Sequence, residues 1–362
     1  MPPDWARTLG YDSATMSLTT RDASLPAAYS QALEAQALGP LWTALHQLLP
    51  TERGTAVVPH VWRWKDARPL LLEAARLVPI EQAERRVLVL DNPGLRGRYA
   101  ITSTLYAGLQ IILPGEAAPR HHHTPAALRL VVEGTGAFTT VDGVKCMMEP
   151  GDFIITPPMR WHDHGHEGAA PVVWLDGLDI PLVRAFDASW VSALKPSESP
   201  RTDSDPSVDE FTTAGLVPRH SRYPATGYPM VRWPWRTTRQ ALAAMAETAS
   251  KDTPIVVTYV DPVTGRPPLR TMGAEAWWLR QGERTRRERR TAGSVFHVIE
   301  GRGRTTVGET RLTWEAGDTF VAPPWHWVSH ENAGSDAAAC LFAFNDAPAV
   351  DALGLLRDEV EP

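Results

Sequence analysis

The chain has 362 residues, room for two or more core-forming units, and its 36 basic and 42 acidic side chains leave a net charge of −6 at neutral pH. That balance excludes a sequence-independent nucleic-acid binder, whose footprint is basic. Two cysteines, Cys146 and Cys340, exclude a disulfide framework or a Cys-rich zinc motif. The 14 tryptophans and 32 prolines point to a loop-rich β protein with large aromatic anchors rather than a helical bundle. No stretch approaches the roughly 18 apolar residues that a membrane span needs. The first ten residues lack the basic-then-apolar pattern of a signal peptide, so a cytoplasmic protein is expected.

In chain order, Leu33, Leu38, Leu41, Trp42, Leu45, Leu48 and Leu49 recur at helical spacing. Gly39-Pro40 divides them into two helices, with Pro40 suited to a first turn. A shorter helix is expected over residues 69–78, and "RRVLVL" (85–90) reads as a strand. From Tyr99 the pattern changes to short strands between glycine turns: "YAITSTLYAGLQIIL", "LVVEGTGAFTTVDGV", "MEPGDFIITPP" and "APVVWLDGLDIPLV". This is the pattern of a small barrel or jelly roll. Residues 188–210, rich in Ser, Pro and Asp, read as a linker. A helix over 238–248 and a hairpin-like stretch over 254–266 follow.

The first β unit then returns. "VIEGRGRTTVGE" echoes "VVEGTGAFTTVDG", and "WEAGDTFVAPP" echoes "MEPGDFIITPP". Gly134 corresponds to Gly301 at an offset of 167, and Gly151 to Gly317 at an offset of 166. Two similar β units in one chain mean an internal duplication.

Six of the twelve histidines fall between His121 and His166. On a strand, alternate residues share a face. His121 and His123 therefore point one way and His122 the other, and "WHDHGH" repeats the spacing with His162 and His164. Converging imidazoles from His121, His123 and His162 would make an all-histidine metal site, compatible with zinc or iron. His166, after Gly165, is expected in a loop. The second unit serves as an internal control: Glu288, Arg290 and Val328 stand where His121, His123 and His162 stand in the first. A second metal site is therefore not expected, although His330 persists at the position of His164. The "RTRRERR" run reads as a salt-bridged face, with Glu288 as an ion-pair partner. Arg129 follows His123 by six residues, an even number along a strand, and should face the same interior.

These residues resemble the cupin superfamily. Gly115, His121, His123 and Gly134 match its first motif, and Pro150, Gly151 and His162 loosely match its second. The glutamate usual in the first motif would fall near Ala127 or Leu128 and is absent. The stretches "LYAGLQIILPGEAAPRHHHTPAALRLVVEGTGAFTTVDG" and "GDFIITPPMRWHDHGHEGAAPVVWLDGLDIPLV" narrow the resemblance to gentisate 1,2-dioxygenases and their salicylate and 1-hydroxy-2-naphthoate relatives. His122 departs from the arginine often found between the two ligands. The resemblance implies a mainly β bicupin: two double-stranded β-helix (jelly-roll) barrels with an N-terminal helical arm. The expected division is arm and leading strand over 1–98, metal-binding cupin over 99–187, linker with connecting helix and strands over 188–270, second cupin without metal ligands over 271–347, and a tail over 348–362.

The resemblance further implies one Fe(II) per subunit held by His121, His123 and His162. It implies a substrate carboxylate gripped by Arg85 and Arg129, with Tyr106 and Gln110 also on the substrate and His164 and Asp176 near its hydroxyls. It implies a homotetramer in aromatic catabolism that consumes an ortho-hydroxy acid and O2. Three neutral imidazoles would leave positions for a chelating ortho-hydroxy-carboxylate and for O2. Gentisate is the expected substrate and maleylpyruvate the product, with salicylate or 1-hydroxy-2-naphthoate as the nearest rivals. A non-enzymatic metal-binding bicupin and a metal-dependent isomerase or decarboxylase are the other classes. The inward arginine argues against the first and the missing glutamate against the second.

Overall fold

The computed structural model describes residues 25–193, 205, 207–211, 228–250, 253–334 and 337–361. The chain divides into two compact units, Met1–Gly54 and Thr55–Pro362. In the first, α1 (Ala27–Ala35) and α2 (Leu41–Leu48) are separated at Gly39-Pro40, as the sequence predicts.

The second unit holds both barrels. It opens with β1 (His60–Trp62), α3 (Trp64–Leu77), α4 (Ile80–Ala83) and β2 (Arg86–Val89). The strands β3 (Tyr106–Ile112), β4 (Ala117–His123), β5 (Ala127–Glu133), β6 (Ala137–Val141), β7 (Val144–Met147), β8 (Phe153–Thr156), β9 (His162–His166) and β10 (Val172–Leu178) follow. Then come α5 (Ile180–Ala185), β11 (Val191–Ala193), α6 (Ser207–Phe211), β12 (Arg232–Trp233), α7 (Trp235–Thr248) and β13 (Ile255–Thr258). The second set is β14 (Gly273–Leu279), β15 (Glu288–Arg290), β16 (Ser294–Glu300), β17 (Arg302–Val307), β18 (Thr310–Glu315), β19 (Thr319–Ala322), β20 (Val328–Asn332) and β21 (Ala339–Asn345). It ends with α8 (Ala347–Ala352) and β22 (Asp358–Val360).

Each barrel is two facing sheets. The first has strand orders β12-β8-β5-β10-β3-β2 and β11-β4-β9-β6-β7; the second has β1-β19-β16-β21-β14-β13 and β18-β17-β20-β15-β22. The larger sheets carry apolar residues on both faces, as strands covered twice do. Leu128, Leu130, Leu109 and Leu175 of the first barrel share one buried cluster with Phe342, Phe344, Val295 and Ala276 of the second. The barrels therefore pack back to back through these sheets.

The duplication reaches further than the two β units. β1 precedes the first barrel in the chain but pairs with β19 of the second, while β12 precedes the second and pairs with β8 of the first. The anchoring is reciprocal. Asp318 accepts from the Trp64 backbone N–H at 2.8 Å and from Arg63 Nη1 at 2.8 Å. Asp152 accepts from the Trp235 N–H at 2.9 Å and from Arg232 Nε at 2.7 Å. The residue before each aspartate must be glycine. Gly151 and Gly317 have φ of +85° and +91°, and a Cβ would come 2.5 and 2.6 Å from the rings of Trp235 and Trp64. The "PGD" and "AGD" turns are thus clasps for exchanged segments. A second reciprocal pair joins the barrels: Thr104 Oγ1 donates to Asp346 and Thr271 Oγ1 to Asp179, each at 2.5 Å.

Several local expectations change. The helix expected over 69–78 begins at Trp64 and carries Pro69 within its second turn. The helix expected from Thr238 begins at Trp235. The hairpin expected over 254–266 is one strand, β13, pairing with β14, followed by a turn closed by Gly265 N–H to Asp261 C=O at 2.8 Å. Part of the expected linker is a strand, β11, laid along β4, and β22 of the expected tail lies along β15 in the same way. Most of the Ser/Pro/Asp-rich stretch lies outside the described residues. His166 is not in a loop: it ends β9, buried, bonding the Ala170 C=O through Nε2 at 2.6 Å and accepting from Gly168 N–H through Nδ1 at 3.0 Å. Among the described residues no helix is long and apolar enough to cross a membrane.

Candidate metal centre and active site

The interior of the first barrel is apolar at one end and polar at the other. Ile112, Val131, Ile154, Val172 and Trp174 belong to one buried apolar cluster. Strand alternation brings polar side chains of β3, β4, β5, β9 and β10 inward beside it.

His121, His123 and His162 present ligand nitrogens that all lie within 4.8 Å of one another. β4 and β9 are neighbours, and His121 is paired directly with His162. Each Nδ1 is held by a carbonyl two residues away in sequence: His121 on Pro119 at 2.8 Å, His123 on Pro125 at 2.7 Å and His162 on Arg160 at 2.9 Å. A carbonyl only accepts, so Nδ1 must carry the proton and Nε2 must offer its lone pair. His162 Nε2 is buried without a hydrogen-bond partner. Burial is the main cause that keeps these rings neutral: His121 is pushed down to about 3, helped by the Arg85 charge, and His123 to about 4, while His162 lies well below the usual value. Three neutral imidazoles with fixed tautomers and converging lone pairs fit a metal ion, and backbone carbonyls hold them from behind.

Arg129 and Asp176 face each other on β5 and β10, paired in register. Arg129 Nε lies 3.3 Å from Asp176 Oδ1, and its Nη1 donates to Thr156 Oγ1 at 2.5 Å. Asp176 also accepts from Trp174 Nε1 at 3.1 Å. Burial pushes the Asp176 carboxyl up to about 6, opposed by the Arg129 and Arg85 charges. Arg129 does face the ligands' interior, but not along one strand: β4 ends at His123, a turn intervenes, and Arg129 belongs to β5. Asp176 sits in mid-strand, not at a turn.

Arg85 directly precedes β2, and its charge acts on Asp176, His121, His123 and Arg129. Tyr106 and Gln110 lie on β3 with Gly108 between them, opposite Leu178, Trp174 and Asp176 respectively on β10. The Tyr106 hydroxyl lies over Gly108, where a Cβ would come 2.8 Å from it. Burial, and then the Asp176 charge, push its phenol up. His164 is fully buried: its Nδ1 bonds Thr139 Oγ1, its Nε2 has no hydrogen-bond partner, and burial followed by the Arg129 charge pushes its pKa well down. Two guanidiniums against one carboxylate leave the pocket positive and suited to an anion.

Thr139, Thr156 and Trp174 hold His164, Arg129 and Asp176, and none was singled out in the sequence. A hydroxyl on a strand has no signature of its own, although the alternation in "AFTTV" puts Thr139 on an interior face. His122 points outward as predicted, stacked on Trp161 with ring centroids 3.9 Å apart.

The second barrel holds other residues at the corresponding positions. Glu288 pairs with Val328 where His121 pairs with His162. Phe296, Trp277 and Ala343 occupy the positions of Arg129, Gln110 and Asp176, and Phe296 stacks on Phe320 at 5.0 Å in an aromatic interior. His330 keeps the hydrogen bond of its counterpart, Nδ1 to Thr305 Oγ1 at 2.9 Å, but it is enclosed by Trp277, Phe296 and Phe320. The arginine run is salt-bridged: Arg287 to Glu361, Arg289 to Glu359, and Arg290 to Glu275 and Asp358. The salt-bridge partners of Arg290 are thus Glu275 and Asp358 rather than Glu288.

The Cupin domain family matches residues 108–178 and 279–344, one segment in each barrel. The chain is 40% identical over 330 residues to gentisate 1,2-dioxygenase 1 of Aquipseudomonas alcaligenes, covering 90% of this chain and 94% of that one. It is 34% identical over 349 residues to a 1-hydroxy-2-naphthoate 1,2-dioxygenase of Nocardioides, covering 92% and 87%. The crystal structure of salicylate 1,2-dioxygenase from Pseudoaminobacter salicylatoxidans with gentisate superposes with a TM-score of 0.87 at 31% identity, covering 97% of this chain and 99% of that one. With its bicupin fold, its inward histidine triad and these similarities along nearly its whole length, the chain belongs to the family of ring-cleaving gentisate, salicylate and 1-hydroxy-2-naphthoate 1,2-dioxygenases.

Proposed function

We propose that the protein is an Fe(II)-dependent gentisate 1,2-dioxygenase that adds both atoms of O2 and opens the ring between the carboxyl- and hydroxyl-bearing carbons, giving maleylpyruvate. The observation that carries this reading is the convergence of three proton-free Nε2 atoms with the Arg129–Asp176 pair on one interior face. His121, His123 and His162 would hold the ion. Bound Fe(II) would supply Lewis acidity toward the substrate oxygens and the one-electron chemistry that lets O2 react with a closed-shell ring.

The chain's own residues do the rest. Arg129 suits the carboxylate because its planar fork matches two oxygens, and Arg85 adds a second positive charge. Asp176 and Thr156 fix the Arg129 fork from behind. His164, neutral and with Nε2 free, can exchange a proton with the substrate hydroxyl while Thr139 holds its other nitrogen. Tyr106 and Gln110 line the wall that the ring lies against. The buried apolar cluster of Ile112, Val131, Ile154 and Val172 gives the same interior a water-poor side. By family resemblance the enzyme is a cytoplasmic homotetramer with one iron per subunit.

The test is oxygen uptake by anaerobically Fe(II)-loaded protein with gentisate, salicylate and 1-hydroxy-2-naphthoate, with mass analysis of the product. Fastest turnover on gentisate with both oxygen atoms in the product is expected. Preference for either of the other acids would reassign the substrate within the family, and no uptake with any of them would sink the reading.

A further inference from the structure

The outside of the ligand strands carries a second construction. His122 stacks on Trp161 with ring planes 10° apart, and Trp190 meets the His122 ring edge-on at 5.3 Å. The Arg120 guanidinium lies 5.6 Å from the Trp161 ring. Each partner in the stack is the chain neighbour of a metal-ligand candidate: His122 lies between His121 and His123, and Trp161 precedes His162.

The ladder between these strands is weak where the ligands are. β4 and β9 pair at Ala117–Gly165 and Ala118–His164, and the register then shifts before the single pair His121–His162. Pro119, in the shifted stretch, has no N–H to donate. A one-residue slip would turn side chains to the opposite face. The segment carrying Trp190 is tied to the same place: the Thr124 N–H donates to Trp190 C=O at 3.1 Å, and the Trp190 N–H to Thr124 Oγ1 at 3.0 Å.

The second barrel carries the same contact without the ligands. Arg289 and Trp327 stand at the positions of His122 and Trp161, and the Arg289 guanidinium lies 4.6 Å from the Trp327 ring and 4.4 Å from that of Trp325. A side chain packed on the cross-strand tryptophan therefore recurs in the barrel whose corresponding positions hold Glu288, Arg290 and Val328.

We propose that His122 is a positioning residue: its stack on Trp161, closed by Trp190, fixes the spacing of His121, His123 and His162 and so sets the affinity and geometry of the metal centre. The inference rests on the triad binding a metal. Apo protein is titrated with Co(II), following its visible ligand-field absorption, in wild type and in His122→Ala, His122→Leu and His122→Arg. The Ala and Leu variants are expected to bind about tenfold more weakly, the scale for losing a partner that orients a ligand, with an altered absorption envelope. His122→Arg, which can restore the contact as Arg289 makes it, should bind within about threefold of wild type. The apo thermal midpoints of the Leu and Arg variants should match. If His122→Ala does not fold, His122→Leu carries the same comparison. Wild-type affinity in the Leu variant, or an Arg variant as weak as the Leu variant, overturns the proposal. A wild type that binds no Co(II) would instead overturn the metal reading beneath it.

Discussion

Replacing Arg129 by Met separates its buried ion pair from its proposed role on the substrate carboxylate. The side chain is buried and pairs with Asp176 and Thr156. Without the guanidinium, Asp176 can relieve its unpaired charge by taking a proton. Its carboxyl already stands at about 6. At pH 7.5 that proton costs about 2 kcal/mol, at about 1.4 kcal/mol per pH unit, which caps the electrostatic loss of stability. The loss of substrate affinity has another origin. Two charge-assisted hydrogen bonds to a carboxylate, together worth about 3 kcal/mol net, predict a KM about 100-fold higher. The assays are urea denaturation, metal content and an oxygen electrode. In Arg129→Met/Asp176→Asn the buried charge is gone, so most of the lost stability should return while KM stays high. A single variant with wild-type KM, or a double variant that regains turnover, would refute the assignment of Arg129 to the substrate carboxylate.

Two further predictions concern the frame. His297 and His330 are fully buried and pushed down to about 3, from an ordinary value of 6.5. The unfolded chain binds protons first, so the stability from these neutral rings is complete above pH 6.5 and is lost as pH falls toward 3. At pH 5 each should cost about 2 kcal/mol, read as a lower urea midpoint than at pH 7.5, and His330→Leu should flatten that slope. Thr104→Val with Thr271→Val strips a donor from Asp346 and Asp179 at the barrel–barrel contact. Each change should cost about 1–3 kcal/mol, and the two should add, with Co(II) affinity unchanged. A shift in Co(II) affinity would show that the contact between barrels reaches the metal centre.

Much of the site was legible because strand alternation is a strong rule. It puts His121 and His123 on one face, and the internal repeat sets Glu288, Arg290 and Val328 at the positions of the candidate ligands. Arg129 reaches the same interior from a different strand, since even spacing from His123 survives the turn between β4 and β5. What could not be read were contacts between segments far apart in sequence. The exchanged segments left a trace in Trp62-Arg63-Trp64 and Trp233-Pro234-Trp235, but these lie 171 residues apart, not 167, and the match is only two tryptophans long. Thr139 and Thr156 are ordinary strand residues until the partner strand brings His164 or Arg129 to them. His166 follows a glycine that suggests a turn. A Cβ at Gly165 would instead come 2.4 Å from the Phe138 ring, so that glycine serves a close approach inside β9.

On the proposed function, ring cleavage depends on an ion held by His121, His123 and His162. The most direct measurement titrates anaerobic apo protein with Fe(II) and follows bound iron and gentisate-dependent oxygen uptake together, in wild type and in His162→Ala. Uptake in the wild type should rise in proportion to bound iron and saturate at one iron per chain, with neither binding nor uptake in the variant. Uptake that persists in His162→Ala, or that continues to rise toward a second iron per chain, would contradict the proposed function.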